Sequence, residues 1–170
     1  EQLMRTLNYV TNNLKLVIEN RSLSLQQFSH ELTSDNPPEA PLGEADKEVI
    51  ISTYLGAYAD QTNLLIQLDG SGVLAEAWQF KNGALQELSG DIAETYLKAD
   101  PTLESLLGSG SLVQNSSDYF LENQSFVNLY SPIVADDGQI TGYFIAPLNL
   151  ENMFKAEIFS DTSDYSGYPL

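Results

Sequence analysis

The sequence contains no cysteine, few basic residues and no long apolar run. Without cysteine, a disulfide framework, thiol catalysis and cysteine-ligated zinc are all excluded. No run of about 18 consecutive apolar residues occurs, so we expect no segment of this sequence to span a membrane. No basic-then-apolar signal peptide is present either. The first residue is Glu1 and not methionine, and we expect the chain to be a fragment whose flanking membrane segments have been removed.

Basic residues are outnumbered, 7 against 24 acidic ones, which gives a net charge of −17. Nucleic acids and anionic membrane surfaces attract cationic patches, so we expect no nucleic-acid partner, and membrane contact only through flanking segments. Acidity of this kind serves solubility or a salty environment, and the functional alternative is attraction of cations or amines. The 170 residues, 42% of them hydrophobic, are enough for one domain with its own core.

Residues for catalysis and metal binding are scarce. The single histidine, His30, lies within a helical stripe, so a Ser-His-Asp triad has no evident place. No Walker loop, dinucleotide fingerprint or histidine-rich metal spacing occurs. The segment Asp69-Gly70-Ser71-Gly72 lacks the further ligands of a calcium loop. We therefore expect no enzyme, no metal and no cofactor.

Residues 3–32 carry apolar side chains at spacings of three and four, which predicts a helix of about 30 residues and about 45 Å. We expect its second half to cover a sheet. The first half has a heptad-like seam formed by Leu3, Leu7, Val10, Leu14 and Val17. That seam suits a partner helix, so homodimerisation through the N-terminal helix and plain core packing are both open.

Residues 125–148 contain two β-like runs around Asp136-Asp137-Gly138, which predicts a hairpin. Because side chains alternate along a strand, Phe126, Asn128 and Tyr130 share one face and Val127, Leu129 and Ile133 the other. Another hairpin is expected at residues 63–80 and a third strand near 112–116. Helices are predicted at 44–60, at 91–98 and from an N-cap at Asp100. The order predicts an α+β fold, with five antiparallel strands and helices on one side.

Several short motifs in the second half carry a resemblance. They are Asp118-Tyr119-Phe120, a strand ending in Pro132-Ile133, the turn and strand from Asp137 to Phe144, and a short helix up to Met153. In this order and spacing they resemble the Cache family, the extracytoplasmic PAS-like sensor domains of bacterial and archaeal receptors. The long N-terminal helix fits the same pattern, so the resemblance covers nearly the whole chain.

The resemblance implies a PAS-like five-stranded antiparallel sheet with the long N-terminal helix packed on one face. It divides the chain into that helix at 1–34, a sensor module at 35–159, and a tail or linker at 160–170. Such domains lie outside the membrane, bind a small molecule on the concave face of the sheet and transmit through terminal helices. The output is a histidine kinase, a chemotaxis transducer or a cyclic-dinucleotide enzyme. The alternative is a ligand-free dimerisation or partner-docking module.

The resemblance also bears on the ligand. The aspartate that pairs with a ligand ammonium in amine- and amino-acid-binding members falls at Ala146-Pro147, so it is missing here. No arginine follows Arg21, which disfavours a carboxylate. An aromatic box with one carboxylate, Asp118, nearby favours an amine, a quaternary ammonium or a neutral ring instead. The candidate ligand-binding residues form an aromatic-polar face, whose aromatics are alternatively ordinary core; they are Trp78, Phe80, Asp118, Tyr119, Asn128, Tyr130 and Tyr143.

Overall fold

A computed structural model of the chain describes residues 1–34, 43–109 and 115–162. The described helices are α1 (Gln2–Ser34), α2 (Glu44–Ala57), α3 (Gly90–Ala99), α4 (Leu103–Ser109) and α5 (Leu150–Thr162). The described strands are β1 (Leu64–Asp69), β2 (Leu74–Lys81), β3 (Ala84–Glu87), β4 (Tyr119–Leu121), β5 (Gln124–Val134) and β6 (Ile140–Asn149).

The strands form one sheet in the order β3-β2-β1-β6-β5-β4, and every neighbouring pair is antiparallel. The two predicted hairpins are confirmed, and the sheet has six strands where five were expected. Strand β3 was missed because it has only four residues, although the two-residue turn before it, Asn82 (φ 55°) and Gly83 (φ 75°), is a hairpin signal. Strand β4 was also missed. The strand expected near 112–116 lies mostly outside the described residues, although Asn115 bridges to Leu129.

One face of the sheet, which we call the α1 face, is covered by α1, α2 and the start of α5. Its buried core joins Leu25 and Phe28 of α1 to Leu55 of α2 and to Phe144 in β6. The ring of Phe28 stacks on Tyr54 at 4.7 Å between centroids and meets Phe144 edge-on at 5.3 Å. The second half of α1 therefore covers the sheet as its apolar spacing predicts.

The opposite face, which we call the α3 face, is covered by α3 and α4. Ala93 and Leu97 of α3 are buried against Ile66 of β1, Tyr130 of β5 and Ile145 of β6. The prediction that helices occupy only one side of the sheet is therefore wrong. The physical reason is that β1 and β6 carry large aliphatic side chains on both faces, so both faces need an apolar cover.

The first half of α1 is more exposed to solvent than its second half. The first half of α1 leaves Leu3 and Leu7 exposed at 72% and 51%, whereas Leu14 packs at the edge of the α1-face core. At the other end, α5 continues to Thr162, past residue 159, and the tail from 163 onward lies outside the described residues. Among the described helices, none combines the length and apolarity that a bilayer crossing requires.

Strands β1 and β6 approach closely at Gly142. A Cβ atom at this position would lie 2.5 Å from the carbonyl oxygen of Leu68 on the neighbouring strand. Glycine is therefore required at the centre of the sheet for a close backbone approach.

Candidate functional site

The structure divides the predicted aromatic-polar face between two sides of the sheet. Tyr130 and Tyr143 belong to the core of the α3 face. Tyr119 and Asn128 join them there, since Tyr119 and Asn128 share a hydrogen bond and Asn128 is two residues from Tyr130 on the same strand. Asp118 is exposed. The alternation expected along β5 is thereby confirmed.

Trp78 and Phe80 lie on the other side, packed against the α1-face core, so their assignment to the same face as Tyr130 is wrong. Trp78 pairs with Leu65 of β1, and the Lys47 ammonium of α2 sits 5.1 Å from its ring centroid. Phe80 lies so close to α2 that a Cβ on Gly56 would be 3.4 Å from its ring. Strand register decides the face of each side chain, and aromatic character alone does not reveal register.

A buried carboxylate organises the polar residues of the α3 face. Asp100 follows α3 directly and is 6% exposed. Its Oδ1 accepts hydrogen bonds from the backbone N and the hydroxyl of Thr102, both at 2.8 Å. Its Oδ2 accepts one from Asn128 Nδ2 at 3.0 Å and another from the Tyr130 hydroxyl. The carboxylate thus joins the α3–α4 connection to strand β5.

The network continues along the sheet beyond Asp100. The Tyr119 hydroxyl donates to Asn128 Oδ1 at 2.6 Å. The backbone N of Asn128 donates to Ser116 Oγ at 2.8 Å, and the backbone N of Ser116 donates to the Asn128 carbonyl at the same distance. Asn128, which is fully buried, therefore uses its side chain and its backbone to hold three neighbouring segments together.

The electrostatics of this network favour protonated phenols. Burial raises the pKa of Tyr119 well above its usual range, and the nearby Asp100 charge acts in the same direction. Burial also raises the pKa of Tyr130, as do the hydrogen bond to Asp100 and the Asp100 charge. Both hydroxyls therefore stay protonated and remain hydrogen-bond donors.

Asp100 is the member of the site that sequence reasoning missed, because it was assigned only as an N-cap. Helix α4 begins at Leu103, and the Thr102 carbonyl accepts its first hydrogen bond from Leu106. A signal was present in the sequence. Asn128 and Tyr130 share one strand face and both are hydrogen-bond donors, so a buried face that contains them needs an acceptor from elsewhere.

Beside Asp100 lies a cavity of about 500 Å³, which we call the acidic cleft. The residues that line it include the acidic Glu94, Asp100 and Glu104, the basic Lys98 and the apolar Leu97. The complete lining is Gly72, Val73, Leu74, Glu94, Leu97, Lys98, Asp100, Pro101, Leu103 and Glu104. Acidic residues outnumber the single lysine in this lining, and they stand beside leucines, a composition that suits an organic cation.

Catalytic or metal-binding chemistry finds little support in this region. In the described part of the chain, no group of three or more histidine, cysteine, aspartate or glutamate side chains could hold a metal ion. Both oxygens of the Asp100 carboxylate already accept hydrogen bonds within the protein, one from Thr102 and the other from Asn128 and Tyr130.

Comparison with solved structures gives the fold. The extracellular domain of a proposed histidine kinase matches with a TM-score of 0.59 at 10% identity, over 91% of this chain and 59% of that one. The periplasmic sensory domain of the Campylobacter jejuni chemoreceptor Tlp1 matches with a TM-score of 0.50 at 14% identity, over 91% and 59%. The Campylobacter jejuni chemoreceptor Tlp3, solved with L-valine, matches at 0.48 and 15% identity, over 86% and 62%, which is too low to support an inference.

These neighbours are sensory domains of the kind that the sequence resemblance indicated. The chain spans about three fifths of the length of the first two. No protein-family model matches the chain, and no curated protein matches it.

Proposed function

We propose that this chain is the extracytoplasmic ligand-sensing domain of a transmembrane signalling receptor. The observation that carries the proposal is a cavity on the α3 face of a fold whose solved neighbours are sensory domains of a histidine kinase and a chemoreceptor. Because a fold alone does not determine function, the proposal also requires a binding site, which the cavity supplies. The output is a histidine kinase, with a chemotaxis transducer or a cyclic-dinucleotide enzyme as the alternatives. The sensory character of the neighbours points away from catalysis.

The ligand that suits the acidic cleft is a small organic amine. Glu94 and Glu104 line the cleft and supply negative charge, and Leu97 offers an apolar wall for the carbon skeleton. Asp100 contributes a third carboxylate, although its oxygens are already engaged. A carboxylate ligand would find only Lys98 as a cationic partner there. A ligand bound beside Asp100 would lie next to the hydrogen bonds that join the α3–α4 connection to strand β5.

A thermal-shift screen of the domain against primary, secondary and quaternary amines tests the proposal. A ligand at about 100 times its Kd stabilises the folded state by about 2.7 kcal/mol. For a domain of this size that raises Tm by roughly 5–10 °C. Glu94→Gln and Glu104→Gln should reduce the shift, whereas Glu19→Gln on the exposed surface of α1 should leave it unchanged. No shift with any amine, or equal shifts in all three variants, would count against the amine ligand.

A second candidate function is dimerisation or partner docking through α1. Leu3, Met4 and Leu7 are exposed at 72%, 62% and 51%. A neighbouring apolar groove of about 490 Å³ runs between α1 and α5. An exposed apolar patch on one helix is typical of an interaction surface, so a second copy of this helix is the occupant that we favour.

Sedimentation at several concentrations tests dimerisation. A concentration-dependent dimer should form, and Leu7→Glu should abolish it while Asn12→Glu, on the same exposed half of α1, should not. A monomer at every concentration, or equal association in both variants, would remove this candidate.

A further inference from the structure

A second cavity, of about 590 Å³, lies at the end of the sheet where strands β1 and β5 begin and strand β6 ends. Asn63 precedes β1, Gln124 begins β5 and Asn149 ends β6, and all three line it. The acidic cleft, by contrast, is lined by residues of the β1–β2 turn, at the other end of β1. The volume is within the range of about 300–1,000 Å³ found for small-molecule sites. We call this cavity the amide cavity.

The lining of the amide cavity is unusually rich in carboxamides. They come from Gln61, Asn63, Gln124, Asn149 and Asn152. Charge is balanced there, with one carboxylate from Asp60 and one ammonium from Lys155, although the chain as a whole carries −17. Two aromatic rings complete the lining; Tyr96 and Phe126 meet edge-on with centroids 5.3 Å apart. The cavity is therefore polar and neutral, with an aromatic wall.

Hydrogen bonds hold part of this wall in place. Gln61 is 6% exposed, and its Oε1 accepts from Arg21 Nε at 3.1 Å. An arginine side chain can only donate, so the amide oxygen of Gln61 must face Arg21. Asn149 is 7% exposed; its Oδ1 accepts from the backbone N of Asn152 at 3.0 Å, and its Nδ2 donates to Gln124 Oε1 at 3.2 Å. The two buried carboxamides are thus oriented before any ligand arrives.

Other amide groups keep free hydrogen-bonding capacity. Within residues 1–34, 43–109 and 115–162, the Nε2 of Gln61 and the side chains of Asn63 and Asn152 take part in no hydrogen bond to the protein. The Nε2 atom of Gln61 is not fully enclosed by the protein, so it retains access to solvent. A nearly buried glutamine with an unused donor at the cavity is a second indication of a ligand site.

The chemistry of the lining selects the ligand class. A carboxamide presents a donor and an acceptor side by side, and a hydroxyl group is likewise both donor and acceptor. An anion would leave the free side-chain oxygens of Asn63 and Asn152 without a donor. A cation would leave the free side-chain nitrogens of Gln61, Asn63 and Asn152 without an acceptor. Aromatic faces can cover the apolar C–H faces of a ring. We propose that the amide cavity binds a neutral polyhydroxylated molecule with the chemistry of a sugar or a cyclic polyol, at a site distinct from the acidic cleft.

Calorimetry and amide-detected NMR of the domain with neutral monosaccharides, neutral disaccharides and myo-inositol test this proposal. At least one probe should bind and should shift side-chain amide resonances that disappear in Asn63→Ala and Asn152→Ala. Each of these substitutions should weaken binding about tenfold, since each removes hydrogen bonds to the ligand. Gln27→Ala, which removes an exposed amide from α1, should leave binding unchanged.

Three outcomes would overturn the proposal: no binding of any neutral probe up to its solubility limit, binding that Asn63→Ala and Asn152→Ala leave unchanged, or binding of charged amino acids in preference to neutral probes. Asn63 and Asn152 make no side-chain hydrogen bonds within the described chain, so both variants should fold, which their melting temperatures would verify. The result is independent of the amine proposal, because Glu94→Gln and Glu104→Gln should weaken amine binding and leave polyol binding intact.

Discussion

Replacing Asp100 with alanine removes the acceptor at the centre of the α3-face network. Its Oδ2 serves Asn128 Nδ2 at 3.0 Å and the Tyr130 hydroxyl, and these two side chains are 0% and 3% exposed. A buried donor left without a partner costs about 1–3 kcal/mol. Two such donors lower the free energy of unfolding by about 2–6 kcal/mol. At about 2–4 °C per kcal/mol for a chain of this size, the expected fall in Tm is roughly 4–24 °C.

Urea denaturation followed by the fluorescence of Trp78, the single tryptophan, measures this loss. Asp118→Ala is the matched control, because Asp118 is an exposed carboxylate, and its effect should stay within about 0.5 kcal/mol. In a Tyr130→Phe background, Asp100→Ala should cost less, since one of the two donors is already gone. An Asp100→Ala effect as small as the control, or strict additivity with Tyr130→Phe, would refute the network.

Three further predictions concern the rest of the fold. Gly142→Ala should lower the free energy of unfolding by about 1–3 kcal/mol, because its Cβ would meet the Leu68 carbonyl at 2.5 Å; a denaturant curve no different from that of Gly90→Ala would contradict this. Arg21→Lys should lower the free energy of unfolding by about 1–3 kcal/mol. It removes the hydrogen bond from Nε to Gln61 and the guanidinium that lies 3.9 Å from the centroid of the Tyr58 ring. Arg5→Lys, on the exposed start of α1, is the control, and an equal loss in both variants would contradict the prediction. Alkaline pH should unfold the domain, because burial raises the pKa of Tyr130 and of Tyr119 in the folded state. The two protonated phenols stabilise the fold fully below the pKa of an unfolded tyrosine, about 10. This stabilisation is lost as the pH rises from there toward the raised pKa values of the folded state. Phenolate absorbance that develops fully before unfolding would contradict the last prediction.

Local patterns predicted the helices and the two hairpins, because each of these rests on short-range physics. The apolar spacing of α1 and the Asp-Gly turn between β5 and β6 need only neighbouring residues to be recognised, and both are confirmed. Strand β3 escaped because the Asn82-Gly83 turn leads into only four residues with one large apolar side chain, Leu85.

The site was harder to predict, because it depends on long-range pairing. A β-bulge in β2 pairs Gln67 with Glu76 but Leu68 with Leu74, so Leu74 and Trp78 point to opposite faces despite their even spacing. Asp100 lies 28 residues from Asn128, and no periodicity links a helix end to a strand face. Tyr130, which is on a regular part of β5, was placed on the correct face.

The acidic cleft also depends on the cover formed by α3 and α4. Sequence reasoning expected the aromatic-polar face to be open, whereas Leu97 and Ala93 bury against it. The aromatic box that favoured an amine in the sequence is divided by the structure between the two faces of the sheet. The amine preference now rests on different residues, Glu94 and Glu104 of the cleft, while the scarcity of arginine still disfavours a carboxylate.

The most direct test of the sensor proposal is a residue-resolved NMR titration of the domain with the tightest-binding amine from the thermal screen. We expect the largest amide shifts at Glu94, Leu97 and Lys98 and along the Asp100 to Glu104 segment, with smaller shifts at Asn128 and Tyr130. Perturbations confined to α1 or to the α1 face, with the cleft unchanged at saturating amine, would contradict the assignment of the ligand to the α3 face.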